Sequence, residues 1–168
     1  MSLKTNIKTT EQISIMKENG KILAAILNSL KSMVKDDLQT LHLEKHFIDL
    51  CNKNNVIPAC KGYSPFGMPP FPTGLCISIN NESVHCFPKK GKVISQGDIV
   101  TIDTVIQKNG LFVDAAVNIV VPYKNPTSTQ KLDYENKVKL SNTAINGTIK
   151  AISKVKHGVK VGDISNVM

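Results

Sequence analysis

Apolar residues fall at helical spacing over the first part of the chain. Ile13, Met16, Leu23, Ile26, Leu27, Leu30 and Met33–Val34 recur three and four apart, the stripe of an amphipathic helix. Thr9-Thr10-Glu11-Gln12 fits a capping box, with Thr9 as N-cap and Gln12 three residues on. Gly20 inside the stripe costs about 1 kcal/mol against Ala, so close packing is expected there. Asp36-Asp37 mark the end. A second helix is predicted from Thr40 to about Asn54, burying Leu43, Phe47, Leu50 and Cys51.

Further on the period changes from helical to alternating. Ile99–Ile106 and Leu111–Val121 are apolar, β-branched runs separated by Gln107-Lys108-Asn109-Gly110. Asn-Gly tolerates the positive φ of a type I′ turn, so the stretch from Gly97 to Val121 reads as a hairpin. A two-residue loop sets Lys108 opposite Leu111 and Asp103 opposite Ala116, and Asp114 then shares the face of Asp103. A shorter hairpin is predicted before it, with strands Cys76–Asn80 and Ser83–Phe87, Asn81-Glu82 at the tip and His85 on the second strand. Residues 58–72, PACKGYSPFGMPPFP, form an irregular loop. Its aromatics, Tyr63, Phe66 and Phe71, either cover the core edge or line a pocket. Lys89-Lys90-Gly91-Lys92 reads as an exposed basic loop. Pro122 and Pro126 stop the sheet. A third helix follows from about Thr129 to Val155, with Leu132, Val138, Ala144 or Ile145, Ile149, Ile152 and Val155 inward, and Val161-Gly162-Asp163-Ile164 begins another.

The candidate chemistry sits in the large hairpin. Asp103 and Asp114 would be diagonal neighbours, with Cα atoms roughly 7–8 Å apart. Two such carboxylates among Ile, Val and Ala repel and lose hydration unless a cation lies between them. They therefore read as half of a metal site, against the plainer reading of acids on a solvated face or edge. His42 and His46 stand four apart, a spacing that can hold a metal. No H-E-x-x-H is present, and surface histidines are the expectation.

Composition narrows the class. The chain has 168 residues, 41% apolar and 20% charged, which suits one soluble domain over 1–168. MSLKTNIKTTEQ has no apolar signal region, and the apolar runs are shorter than the ~20 residues that span a bilayer, so a cytoplasmic protein with no membrane partner is expected. Cys51, Cys60, Cys76 and Cys86 contain no C-x-x-C and read as reduced thiols. Cys86 beside His85 suggests a thiol nucleophile only weakly, because neighbours on a strand face opposite ways. The net charge of +8 comes with Lys and no Arg. That argues against sequence-specific nucleic-acid binding, which favours Arg, and leaves a diffuse attraction to ribosomal RNA open.

Six motifs now stand in order: Ile7-Lys8-Thr9, Cys60-x-Gly62-Tyr63, Cys76-Ile77-Ser78-Ile79-Asn80, His85-x-x-Pro88, Gly97-Asp98-Ile99-Val100 and the pair Asp103…Asp114. From about Ile7 onward the chain resembles type I methionine aminopeptidases. The resemblance implies an α+β, pita-bread fold, an antiparallel sheet backed by helices, of which this chain covers the first half and the start of the second. It implies two divalent metal ions (Mn, Fe, Co or Zn), one held by Asp103 and both bridged by Asp114. His85 matches the histidine that contacts the substrate amide and supports proton movement. Cys60, Tyr63, Phe71 and Cys76 match the pocket for the methionine side chain. The implied function is removal of the initiator methionine from nascent polypeptide N-termini, with ribosome association left open.

The departures are Cys86 where the family has Gly after the histidine, and Val113-Asp114-Ala115 where it has Gly-Asp-Thr. Val113 is expected to crowd the site and Ala115 to cost a supporting hydroxyl. The family's further ligands, one His and two Glu, are not found, so the expectation is an N-terminal portion of an enzyme, inactive alone. The alternatives are a non-catalytic pita-bread binding module and an X-Pro dipeptidase.

Overall fold

The computed structural model describes residues 7–168; residues 1–6, part of the stretch read for a signal sequence, lie outside the described residues. The chain forms two compact units, one ending at Val121 and one running Pro122–Met168.

The first unit opens with α1 (Thr10–Met33), whose capping box forms as the sequence dictates: Thr9 Oγ1 accepts from Gln12 N, and Gln12 Oε1 accepts from Thr9 N. Leu23, Ile26, Leu27 and Leu30 are buried, while Ile13 is exposed. The close packing expected at Gly20 is overturned, because a Cβ there would meet nothing within 4 Å. Gly20 instead borders a cavity of about 540 Å³ between α1 and the last strand of the unit. After β1 (Leu38–Gln39), α2 (Thr40–Asn54) buries Thr40, Leu43, Phe47 and Cys51, with Leu50 packed at its margin. The surface expectation for the histidines holds for His42. His46 is half-buried, and its Nε2 shares a hydrogen bond with Ser29 Oγ of α1 at 2.9 Å.

The sheet is organised on β5 (Ile99–Lys108). Val100, Ile102, Thr104 and Ile106 alternate inward toward the helices, and the residues between them face outward. β6 (Leu111–Val120) pairs along all of β5, in the register read from the sequence: Lys108 opposite Leu111 and Asp103 opposite Ala116. Asn109 and Gly110 have φ of 54° and 73°, as the type I′ turn requires. Asn19 of α1, a buried polar residue within the helix, closes this turn by donating to Lys108 O and Leu111 O. On its other edge β5 pairs antiparallel with β2 (Ile57–Pro58) and with β3 (Cys76–Ile79). A separate ribbon joins β1 to β4 (Val93–Ile94). α1 packs across β6 and β5, and α2 lies beside α1, so the core fills the gap between helices and sheet.

The shorter predicted hairpin forms only its first strand and turn. Residues 83–87 are irregular, with a single ladder-like bond from Ile77 N to Cys86 O. His85 has φ +56°, which breaks an extended strand, and Lys92 Nζ takes Ile77 O, an acceptor a partner strand would use. The basic loop is corrected at the same point: Lys92 has a side chain only 7% exposed, paired with Glu82 at 2.5 Å.

In the second unit α3 (Ser128–Lys154) starts at a capping box of Thr127 with Gln130, and α4 (Val161–Ser165) follows. The stripe expected inward is overturned. Leu132, Ile145, Ile149, Ile152 and Val155 are exposed, and the buried positions of α3 are Ser141 and Ala151.

Candidate functional site

The outward face of β5 and its neighbours collects the sequence candidates. Strand alternation puts Thr101, Asp103 and Val105 on this face, with Asp114, Ala116 and Asn118 from β6 beside them. Cys76 of β3 is the cross-strand partner of Asp103 on the other side. Asp103 is half-buried, and its carboxyl is pushed above the usual carboxylate value by burial and then by the negative charge of Asp114. His85 and the Thr104 N–H act in the opposite sense. The two acids therefore interact, and the histidine lies close enough to oppose their repulsion.

The thiols belong to the same cluster. Cys60 and Cys76 are hydrogen-bonded through their side chains, and both feel the charges of Asp103 and Asp114. The Cys76 S–H stabilises a Cys60 thiolate and brings the Cys60 pKa down to about 7, against a smaller opposing effect of burial. Cys76, the donor, is pushed upward. Phe71 is half-buried and meets Phe87 edge-to-face, with centroids 6.0 Å apart at 87°. Tyr63 is 64% exposed; its backbone is tied to Phe71 and Cys60. The structure thus brings together Cys60, Cys76, His85, Asp103 and Asp114, whereas Tyr63 presents its ring to solvent. Val113 does not crowd this face. Alternation turns it the other way, where it packs against the core.

Three residues that the sequence reading passed over support the cluster. Thr101 Oγ1 donates to Asn118 Oδ1 at 2.9 Å, one step along the face from Asp103. Period-two counting back from Asp103 and across from it would have found both. Glu44 of α2 accepts from Gly74 N at 2.7 Å and Leu75 N at 3.0 Å, fixing the approach to Cys76. Only the tertiary fold brings Glu44 there, so no local signal marked it.

Chemically, the acids suit a divalent cation in kind. They are hard oxygen donors on one face, and their mutual repulsion favours a positive charge between them. In number they fall short, because among the described residues no group of three or more His, Cys, Asp or Glu could hold a metal.

The methionine aminopeptidase of Aquifex aeolicus is 35% identical over 158 residues, covering 94% of this chain and 58% of that protein. The crystal structure of methionine aminopeptidase from Thermotoga maritima superposes with a TM-score of 0.83 at 31% identity, covering 96% of this chain and 59% of that one. An Xaa-Pro dipeptidase from Bacillus anthracis aligns with a TM-score of 0.69 at 19% identity, covering 96% of this chain and 40% of that one, a likeness of fold alone. The antiparallel sheet backed by helices is thus the pita-bread fold. The chain spans a little under three-fifths of the relatives it matches, at 58% of the first. The family model for metallopeptidase family M24 matches residues 14–168, and the chain belongs to that family.

Proposed function

We propose that this chain provides the Asp-bearing portion of a metal-dependent aminopeptidase that removes the initiator methionine from nascent polypeptide N-termini. The observation that carries the reading is the pair of carboxylates on one sheet face, with Asp103 held above its ordinary pKa partly by Asp114. Membership in a metallopeptidase family and similarity to proteins named methionine aminopeptidases support this reaction class.

In this reading Asp103 and Asp114 hold the divalent metal, one ion or two, with donors beyond the described residues completing the shell. A bound divalent cation supplies Lewis-acid polarisation of the scissile carbonyl and a more acidic water. The chain's own residues do the rest. His85, near Asp103, hydrogen-bonds the substrate amide and holds a proton there. Cys60 and Cys76 form a compact, weakly polar wall for a thioether side chain, and Phe71, braced by Phe87, adds an apolar surface. Tyr63 joins that pocket if its loop folds inward over substrate. The outward Lys89 and Lys90 suit diffuse contact with ribosomal RNA, with no sequence-specific recognition. Among the described residues no helix is long and apolar enough to cross a membrane. A role on nascent chains would be exercised in the cytoplasm.

The test is methionine release from a Met-Ala-Ser peptide with Mn²⁺ or Co²⁺, using the natural polypeptide at its full length. Metal-dependent release, lost in Asp103→Asn and in Asp114→Asn, is expected. No release at any metal concentration would sink the proposal. The 168-residue chain by itself is expected to release little or none.

A further inference from the structure

Loop 61–75 leaves the sheet and rejoins it almost at the same place. β6 occupies one edge of β5 along its whole length, so β2 and β3 must share the other. They lie in line on that edge. Pro58 stands opposite Ile106, Ala59 N donates to Val105 O, and Cys76 stands opposite Asp103. From Ala59 to Cys76 is therefore about two residue rises along the strand, roughly 7 Å, with Cys60 between them. Cys60 therefore stands nearer to Cys76 than that, within the span a disulfide bridges.

Both limbs of this neck are pinned. The Val105 N–H supports the Cys60 sulfur, which is hydrogen-bonded to Cys76. On the returning limb Glu44 grips Gly74 N and Leu75 N, and Thr104 Oγ1 donates to Gly74 O at 2.8 Å. Within the loop, Gly62 N donates to Phe71 O and Phe71 N to Tyr63 O. The other cysteines are placed differently. Cys51 is buried on α2, and the Cys86 thiol turns to Ser83 O at 3.7 Å.

We propose that Cys60 and Cys76 are an oxidative modification site, closing a reversible disulfide across the neck of loop 61–75 on reaction with small disulfides such as oxidised glutathione. Cys60 is the half-buried, reachable thiol and Cys76 the buried one. The Cys60 sulfur, its proton passed to water, attacks one sulfur of oxidised glutathione. A Cys60–glutathione bond forms, the glutathione S–S bond breaks, and one glutathione leaves as thiolate. The Cys76 sulfur then gives up its proton and attacks the Cys60 sulfur, expelling the second glutathione. Two protein thiols are oxidised and one glutathione disulfide is reduced to two thiols. The inference is independent of whether the acids hold a metal.

The experiment incubates the metal-free chain with oxidised glutathione in excess over reduced, blocks remaining thiols by alkylation and digests with trypsin. Lys61 is the single trypsin site in loop 61–75, so Cys60 leaves on peptide 54–61 and Cys76 on peptide 62–89. The result expected is these two peptides joined, parted by reductant, with fragmentation placing the bond at Cys76 and not at Cys86, and with two of the four thiols lost to alkylation. In Cys76→Ser a lasting glutathione adduct on Cys60 is expected, because nothing remains to expel it. In the native chain, a persistent adduct on Cys60 with Cys76 still free overturns the proposal. So does a Cys60–Cys86 link, or inertness of both Cys60 and Cys76 at the highest ratio of oxidised to reduced glutathione. Since the native chain supplies the deciding result, a poorly folding variant does not blur it.

Discussion

Asp103 bears the strain of the site in its own ionisation. Burial and the Asp114 charge raise its pKa, so above the unfolded-state value its carboxylate weighs against the folded state, and the penalty fades as pH falls through the folded value. Solvent screens a half-exposed acid, which holds the gain on neutralising it to about 1 kcal/mol. Asp103→Asn should thus raise the melting temperature of the metal-free chain by about 2–4 °C at neutral pH, read by thermal melting. A fall would mean the acids do not oppose each other. Glu82 has the reverse sign. Burial alone would raise its pKa, but the Lys92 ammonium and the Ile79 N–H hold it below the ordinary 4.5. The stability it contributes is complete above that value and drains away as pH falls through the lowered one. Glu82→Gln should cost about 1–3 kcal/mol in urea unfolding at neutral pH, leaving the Lys92 ammonium without its counter-charge, and the deficit should shrink in acid. Of these residues the sequence displayed the aspartates, because period-two counting fixes their face. It hid Lys92 and Glu82, whose pairing needs the irregular stretch between them.

Among elements, the register of the large hairpin was legible to the residue, and its strand ends to within two, because one local device, Asn109-Gly110 at positive φ, sets the register of both strands. The shorter hairpin was not. Its return limb depends on Lys92 occupying Ile77 O and on the left-handed turn at His85, neither of which alternation reveals. The helix caps at Thr9 and Thr127 show local chemistry again deciding structure; the first is read directly from the sequence, and the second starts α3 at Ser128, one residue before the expected Thr129. Two glycines give contrasting tests. A Cβ on Gly74 would stand 2.6 Å from Phe47 Cε1 and 3.1 Å from Pro58 Cβ. Gly74→Ala should therefore cost about 1–3 kcal/mol by overpacking. Gly20, in a helix with open space beside it, should gain about 0.5–1 kcal/mol as Ala. Urea denaturation of both variants checks the pair, and equal effects would contradict this account of α1 and of the loop return.

At the scale of the whole molecule, the sequence carried the family through widely spaced motifs, of which Cys76–Asn80, Gly97–Val100 and the pair Asp103 and Asp114 lie along β5, at its start or on strands paired with it. What it could not carry was the fate of apolar faces, as in α3, where exposure depends on what covers the helix and not on its own pattern. Among the described residues β6 is paired on one edge alone, and an open edge invites pairing with a second copy. Sedimentation of the chain should show concentration-dependent dimers, and a monomer at every concentration would contradict this. The central claim is that Asp103 and Asp114 act together on one cation. Its most direct test follows amide signals by nuclear magnetic resonance while Mn²⁺ is added in small steps. Signals of residues 103–105 and 113–116 should broaden first and saturably, and lose that preference in either Asp103→Asn or Asp114→Asn. Broadening spread evenly over all the surface acids, unchanged in the variants, would contradict it.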